Sequence, residues 1–205
     1  MGILKRAVLS LSSGRLSHLA ADRRGVAALE FALIAPLLLS MYFLTMEVGQ
    51  GIETNKKVGR AASMVADLVT QQQSTTKAEL NAILDIGSAL LQPYSRSKPT
   101  IVITAIEVTD ETTPKVKVVW SRKMVNGAYS ADQAAGTITT IPNALKIKGS
   151  FLVRVQSSLD YYPVITWAAG DKGMLGLTAA FDKLEMSETY YLRPRMTQSI
   201  ACSDC

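Results

Sequence analysis

The sequence is poor in the residues from which most catalytic and metal sites are built. Its 205 residues include one histidine, His18, and two cysteines, and only 19% of them are charged. Histidine-dependent triads and histidine-rich zinc sites are therefore excluded from the last three quarters of the chain. Two cysteines cannot form a disulfide scaffold. So few charges also exclude long disordered acidic or basic tracts.

The charged residues that are present are unevenly distributed. The formal net charge is +5, and five basic residues before Gly25 are opposed by Asp22 alone. No basic residue lies between Val26 and Ile52, whereas acids and bases are mixed in the rest of the chain. Because those later basic residues are diluted by acids and do not alternate with aromatic ones, the sequence predicts no nucleic-acid-binding surface.

The segment from Val26 to Ile52 is a long apolar run. Its uncharged centre, Phe31 to Met46, would be about 24 Å long as a helix, which is shorter than a hydrocarbon core of about 30 Å. The whole segment would reach about 40 Å, with Glu30 and Glu47 near the two interfaces. We therefore predict a transmembrane helix over residues 26–52, the alternative being a buried helix of a soluble domain. A cleaved secretory signal does not fit, because the leader and the apolar core are too long and no Ala-x-Ala site follows.

The charges that flank the span predict its orientation. The excess of basic residues before Gly25 favours a cytoplasmic N-terminus. Behind the span, Glu47 and Glu53 offset the nearby bases Lys56, Lys57 and Arg60. Residues 53–205 are then expected outside the cytoplasm.

The residues that lead into the span follow a specific pattern. Residues 23–31 are Arg-Arg-Gly-Val-Ala-Ala-Leu-Glu-Phe, and the sequence Ala-Leu-Ile-Ala-Pro follows them. This pattern resembles the class III signal of type IV pilins and, more closely, the TadE/TadG-like proteins of tight-adherence (Flp-type) pilus assembly systems. A looser similarity lies at Tyr191 to Arg195. Larger TadG-like relatives carry a von Willebrand-type domain with an Asp-x-Ser-x-Ser motif, which this sequence lacks, so the chain resembles the short TadE-like branch.

The resemblance implies processing by a prepilin peptidase after Gly25. Residues 1–25 would then be a cytoplasmic leader that is removed together with His18, and Val26 would become the new N-terminus. Glu30 would stand at the fifth mature position and Phe31 at the sixth, where both serve assembly. A glycine before the scissile bond suits this chemistry, because it lets extended backbone enter a protease cleft without a side chain in the way.

Three residues within the span are unusual in an apolar helix. A carboxylate at the bilayer centre is disfavoured by about 2.5 to 3.5 kcal/mol, and less near an edge, so Glu30 is expected to have a partner. The resemblance implies the freed α-amine of the same or a neighbouring subunit, and the alternative is a carboxylate at the cytoplasmic interface. Pro36 predicts a tolerated kink or a point of local melting. Glu47 resembles a second acidic position of TadE-like spans, and an anchor at the outer interface is the simpler interpretation.

Beyond the span, the sequence predicts a small domain. Apolar residues continue at helical spacing as far as Gln71, which predicts that the span extends as one long, pilin-like helix. Thr76-Lys77-Ala78-Glu79 is a capping-box sequence, which predicts a second helix to about Leu91. Alternating or β-branched runs predict strands over 100–109, 115–122, 150–160 and about 188–192. We expect an α+β fold with both helices packed on a small antiparallel sheet.

Aromatic residues and cysteines are the other notable side chains of this region. Tyr161, Tyr162 and Trp167 are expected in the core, with a subunit interface as the alternative. Cys202 and Cys205 predict a disulfide, within the pair or between subunits, because the compartment is expected to be oxidising. A redox motif would need a following helix, and a zinc site would need further ligands. We therefore expect neither a metal nor another cofactor.

The resemblance predicts a minor pilin or pseudopilin that assembles a Flp-type pilus at the bacterial inner membrane, with its C-terminal domain in the periplasm. Its expected partners are the prepilin peptidase, other TadE/TadG-like pseudopilins and the pilus assembly machinery. The alternative is a membrane-anchored periplasmic enzyme or ligand-binding domain. The sequence contains no Gly-x-Ser-x-Gly or Walker motif, so no enzymatic activity is expected. The acids available to that alternative are scattered: Asp67, Glu107, Asp132, Asp160, Asp171 and Glu185.

Overall fold

The structure is a computed structural model that describes residues 25–164 and 183–205. The residues before Gly25, with His18, and the positions of Trp167 and Asp171 lie outside the described residues. The chain divides into two compact units between Met46 and Glu47.

The described residues form two α-helices and two sheets, which confirms the α+β prediction. The helices are α1 (Val26–Thr70) and α2 (Lys77–Ala89). A five-stranded antiparallel sheet has the strand order β4-β3-β2-β5-β6, and a separate parallel pair consists of β1 and β7. The strands are β1 (Ser74–Thr75), β2 (Thr100–Val108), β3 (Val116–Val125), β4 (Ala128–Ser130), β5 (Phe151–Tyr161), β6 (Leu184–Leu192) and β7 (Ala201–Cys202).

Helix α1 has 45 residues and changes character along its length. Up to Met46 its side chains are almost all exposed and apolar. From Thr54 onward one face is buried, and its members recur every three or four residues. Three of them are alanines, Ala61, Ala62 and Ala66, so the helix can approach the sheet closely. The predicted long helix is therefore confirmed.

Helix α2 begins where the capping-box sequence predicts. The backbone N–H of Glu79 donates to Thr76 Oγ1 over 3.2 Å, and the backbone N–H of Thr76 donates to Glu79 Oε2 over 2.8 Å. Both bonds satisfy donors that a helix start leaves without partners. The helix buries Leu80, Ile83 and Leu84 against the sheet.

The five-stranded sheet is covered by the helices on one face. Ile103 of β2 pairs with Val155 of β5, and both are buried in the main core together with Trp120 of β3. The other face is covered at one end, where Ile141 and Leu145 pack on a smaller apolar cluster. The four predicted strands are confirmed, although β3 continues to Val125 and β6 already begins at Leu184. Strands β1, β4 and β7 were not predicted.

Candidate functional site

The predicted cleavage and assembly residues lie at the beginning of α1. Gly25 directly precedes the helix, and a Cβ built on it would meet no atom within 4 Å. Glu30 follows Val26 by four residues, so both lie on one side of the helix, about one turn apart. Phe31 is 72% exposed. Within residues 25–164 and 183–205, Glu30 makes no hydrogen bond or ion pair, and its predicted partner stays a prediction.

The surface of α1 up to Met46 suits a lipid environment. The most apolar 18-residue window of the helix has a mean hydropathy of 2.0, and none of it is buried. This is the one helix, among the described residues, that is long and apolar enough to cross a membrane. The hydroxyls of Ser40 and Thr45 donate to the carbonyls of Leu37 and Met41, each over 2.8 Å. A polar group whose hydrogen bond is satisfied within the helix costs the least free energy in the hydrocarbon of a membrane.

Pro36 lies inside α1 and does not end it. Because proline has no N–H, the carbonyl of Ala32 loses its usual partner four residues later. Such a carbonyl is tolerated in a membrane helix where neighbouring groups satisfy it. Helical structure is retained on both sides of Pro36.

Glu47 is bound by the end of strand β5. Its Oε1 accepts a hydrogen bond from the hydroxyl of Tyr161 over 2.5 Å, and its Oε2 accepts one from the backbone N–H of Val164 over 2.9 Å. Hydrogen bonds to an ionised carboxylate are among the strong ones in proteins. Glu47 therefore has an internal structural role, and an anchor at the outer interface stays a prediction.

Tyrosines and an arginine surround this carboxylate. Tyr94 stacks on Tyr161 with ring centroids 5.4 Å apart, and the guanidinium of Arg96 lies 5.3 Å from the first ring and 5.8 Å from the second. Arg96 also donates to Gln50 Oε1 over 3.2 Å and to the carbonyl of Tyr162. We call Glu47, Gln50, Tyr94, Arg96 and Tyr161 the Glu47 cluster.

Tyr161 is the most buried aromatic residue of this cluster. It is only 3% exposed. Burial, and then the hydrogen bond to Glu47, raise the pKa of Tyr161 to about 12. The phenol is therefore protonated at neutral pH and can donate to Glu47. Tyr162 is half-buried, so of these two neighbouring tyrosines only Tyr161 belongs fully to the core.

A second cluster lies at the C-terminus. The structure joins Cys202 and Cys205 in one disulfide. Asp204 Oδ1 accepts a hydrogen bond from the backbone N–H of Lys77, the first residue of α2, over 2.8 Å. The carbonyl of Ile200 accepts one from Trp120 Nε1 over 2.8 Å, and Ile200 is fully buried. We call residues 193–205 the C-terminal strap.

Three of the acids available to the alternative, enzymatic hypothesis form separate ion pairs. Asp67 pairs with Arg195 over 2.6 Å, Asp132 with Lys123 over 3.2 Å, and Asp160 with Lys183 over 2.8 Å. Glu107 and Glu185 are exposed. In the part of the chain that the structure describes, the only group suited to a metal is Cys202, Asp204 and Cys205, and its two thiols are already bonded to each other.

Sequence reasoning did not find the Glu47 cluster. The five residues come from three separate stretches of the chain, and no spacing rule connects position 47 with 96 or 161. The two adjacent tyrosines at the end of a predicted strand were the available signal. They indicated burial or an interface, but not the carboxylate that Tyr161 binds.

Comparisons with known proteins identify one family. Residues 25–67 match the family described as TadE-like protein. The match begins at Gly25, includes Glu30 and Glu47, and ends within the buried part of α1. No curated protein and no solved structure matches the chain. The suspected resemblance to TadE-like proteins is thus confirmed over this segment.

Proposed function

We propose, from the TadE-like match of residues 25–67, that this protein is a minor pilin or pseudopilin of a tight-adherence, Flp-type pilus system. It spans the bacterial inner membrane once, with its N-terminus in the cytoplasm and residues 53–205 in the periplasm. Its role is structural rather than enzymatic. The observation that carries the proposal is a TadE-like helix whose apolar surface is wholly exposed at its N-terminal end.

The exposed surface of α1 requires a covering. Large side chains such as Phe31, Leu33, Leu37 and Phe43 are 53–72% exposed. Burial of one such side chain contributes about 1.5 to 3 kcal/mol, so the helix is stable only in lipid or against other apolar helices. A pilus subunit uses both environments in turn, because it waits in the membrane before it is assembled.

Processing between Gly25 and Val26 prepares the subunit to leave the lipid and pack against other apolar helices. The peptidase would remove residues 1–25 and create an α-amine at Val26. That amine lies about one helical turn from the carboxylate of Glu30, on the same side of α1. In an apolar medium opposite charges attract strongly, so Glu30 can accept the amine of its own chain or of a neighbouring subunit.

The Glu47 cluster and the disulfide belong to the periplasmic part of this proposal. The cluster ties the strand end at Tyr161 to the beginning of the periplasmic part of α1. The oxidising compartment would close the disulfide between Cys202 and Cys205. The partners in assembly would be other TadE/TadG-like pseudopilins and the export machinery of the pilus.

N-terminal sequencing tests the processing step. Protein from cells that contain the prepilin peptidase should begin at Val26, and protein from cells without it should retain the leader. Gly25→Leu should block cleavage, because a side chain then enters the peptidase cleft. Gly49→Leu is the matched control and should be processed normally. A chain that keeps its leader in the presence of the peptidase contradicts the proposal.

Substitution of Glu30 tests the assembly step. Glu30→Gln should leave membrane insertion and processing unchanged, since it removes a charge from an apolar helix. Surface pili, counted by electron microscopy, should fall by about tenfold or more, as expected when a charge pair of about 1.4 kcal/mol is lost. Glu53→Gln, at an exposed position outside the span, is the control. Normal piliation in the Glu30 variant would remove the assigned role.

A further inference from the structure

The end of the C-terminal strap is closed into a small ring. A disulfide joins Cys202 to Cys205, and we call residues 202–205 the disulfide ring. Cys202 is half-buried and Cys205 is exposed. A thiol opens a disulfide by direct attack on one of its sulfur atoms, so exposed disulfides are the ones that are readily reduced. A dithiol in solution can therefore reach this ring.

The disulfide ring binds the segment that leads from α1 into α2. Its first residue, Cys202, ends strand β7 and pairs with Thr75 of β1. The backbone N–H of Ser203 donates to the carbonyl of Thr75 over 3.1 Å. Asp204 Oδ1 accepts a hydrogen bond from the backbone N–H of Lys77 over 2.8 Å. Three consecutive residues of the ring thus hold the beginning of α2 and the strand before it.

The bond between Asp204 and Lys77 depends on how the ring restricts its own backbone. The N–H of Lys77 is one of the first donors of α2, which have no partner inside the helix. The side chain of Thr76 accepts from the N–H of Glu79, so Asp204 is the residue that satisfies Lys77. Closing the ring removes backbone freedom from residues 202–205, so less entropy is lost when Asp204 is fixed over the helix start.

The earlier part of the strap is held by contacts that do not involve the ring. Ile200 is fully buried, and its carbonyl accepts a hydrogen bond from Trp120 Nε1 over 2.8 Å. The backbone N–H of Arg195 donates to the carbonyl of Thr70 over 3.0 Å, and its guanidinium pairs with Asp67 over 2.6 Å. Because these contacts do not need the disulfide, its opening should free only the residues after Ile200.

We propose that the disulfide ring is a redox-sensitive latch on the start of α2. In the oxidised chain the ring keeps Asp204 on the N–H of Lys77 and β7 on β1. In the reduced chain residues 201–205 detach, while the rest of the second compact unit, Glu47–Cys205, stays folded. The inference does not depend on a role in a pilus, because it concerns only contacts within this unit.

The latch opens by thiol–disulfide exchange with a dithiol, which supplies the two electrons of the reduction. One thiolate of the dithiol attacks the exposed sulfur of Cys205, the bond between the two cysteines breaks, and Cys202 leaves as a thiolate that takes up a proton. The second thiol of the reagent then attacks the mixed disulfide. This step frees Cys205 as a thiol and leaves the reagent as a disulfide.

Amide hydrogen exchange of the full chain in detergent tests the proposal. It is followed by NMR before and after reduction with dithiothreitol, and alkylation of the freed thiols shows that reduction is complete. Exchange at Lys77 and Ser203 should become about tenfold faster or more in the reduced chain, because the freedom that ring closure removed is regained. The N–H of Arg195 and the amides of β2 should keep their protection, since the ring does not hold them.

Three variants assign the effect to the ring. Cys205→Ser should show the fast exchange at Lys77 without dithiothreitol and should not respond to it. In Asp204→Ala this exchange should already be fast in the oxidised chain, and reduction should add little, because the disulfide acts on Lys77 through Asp204. Ser199→Ala, at an exposed position of the strap outside the ring, is the control and should behave like the native chain.

Four results would overturn the proposal. Unchanged exchange at Lys77 and Ser203 in the fully reduced chain would show that the ring does not hold the start of α2. Loss of protection in β2 on reduction would show that the disulfide stabilises the whole unit rather than the end of the strap. A disulfide that stays closed in dithiothreitol while the chain is folded would not be redox-sensitive. Fully additive effects of reduction and Asp204→Ala on Lys77 would separate the disulfide from the cap.

Discussion

Tyr161 is the residue on which the Glu47 cluster depends. Its hydroxyl donates to Glu47, its ring stacks on Tyr94, and Arg96 lies over both rings. The sequence places position 161 at the end of a strand, whereas its partner at position 47 precedes it by more than a hundred residues. The contact joins the strand end directly to the beginning of the second compact unit, Glu47–Cys205.

Tyr161→Phe should destabilise the second compact unit. The substitution keeps the stacked ring but removes the hydroxyl, so the carboxylate of Glu47 loses a charge-assisted hydrogen bond, which contributes about 1.5 to 3 kcal/mol. The free energy of unfolding of the full chain in detergent measures the loss. Tyr129→Phe is the control, because its hydroxyl binds Asp85 at an exposed site. Equal losses in both variants would contradict a special role for Tyr161.

The pH dependence of stability should reflect the same residue. The pKa of Tyr161 is raised from 10.0 to about 12 in the folded chain, so folding favours the protonated phenol. Its contribution to stability is therefore complete below pH 10.0 and is lost as the pH rises toward about 12. The unfolding midpoint should fall more steeply over this range in the native chain than in Tyr161→Phe. Parallel curves would contradict the assignment.

At the scale of elements, α2 shows that local sequence signals determine where a helix begins and that tertiary contacts determine how it packs. Its N-terminus follows from the capping box at Thr76 and Glu79, which is readable in four consecutive residues. Its packing depends on Gly87, where a Cβ would lie 2.5 Å from Val65 Cγ2 and 3.0 Å from Ile101 Cδ1. Glycine is unfavourable inside a helix, so its presence here is explained by the close approach of α1 and β2.

Gly87→Ala should therefore lower the stability of the domain. Overpacking a core costs about 1 to 3 kcal/mol, which exceeds the helix propensity of about 1 kcal/mol that alanine restores. Thermal unfolding of the purified chain measures the difference. Gly49→Ala, where a Cβ meets nothing within 4 Å, should cause no loss. A stabilised Gly87 variant would show that α2 can shift away from Val65 without cost.

The strands were predicted with unequal success for physical reasons. The run at 100–109 and the alternation at 150–160 give β2 and β5 within one residue, because both are long and rich in β-branched or apolar residues. Strand β6 begins four residues earlier than expected. Leu184 and Glu185 are exposed, and pairing with β5 makes them part of the strand. Strands β1 and β7 have two residues each and exist only as a pair.

At the scale of the whole second unit, the C-terminal strap joins elements that are distant in the sequence. Strand β7 pairs with β1 in parallel, and the N–H of Ser203 donates to the carbonyl of Thr75. The N–H of Arg195 donates to the carbonyl of Thr70 at the end of α1. The strap thus satisfies backbone groups at the end of one helix and at the start of the next.

Asp204→Ala should loosen this connection. The carboxylate of Asp204 accepts from the first N–H of α2, where the helix dipole favours a negative charge, and removal of such a cap costs about 0.5 to 2 kcal/mol. Limited proteolysis of the folded chain should then cut the strap sooner. Asp110→Ala, in the exposed loop between β2 and β3, should leave the digestion rate unchanged. Equal rates for the native chain and the Asp204 variant would contradict a capping role.

The sequence by itself determined the features that depend on neighbouring residues. An apolar run flanked by basic residues predicts the span, the Gly25 pattern predicts the TadE-like segment, and a capping box predicts the start of α2. Tertiary structure alone decided which side chains meet: Glu47 with Tyr161, Gly87 with Val65, and Asp204 with Lys77. The physical reason is that these contacts join positions from 22 to 127 residues apart, and no local pattern records which distant segments pack together.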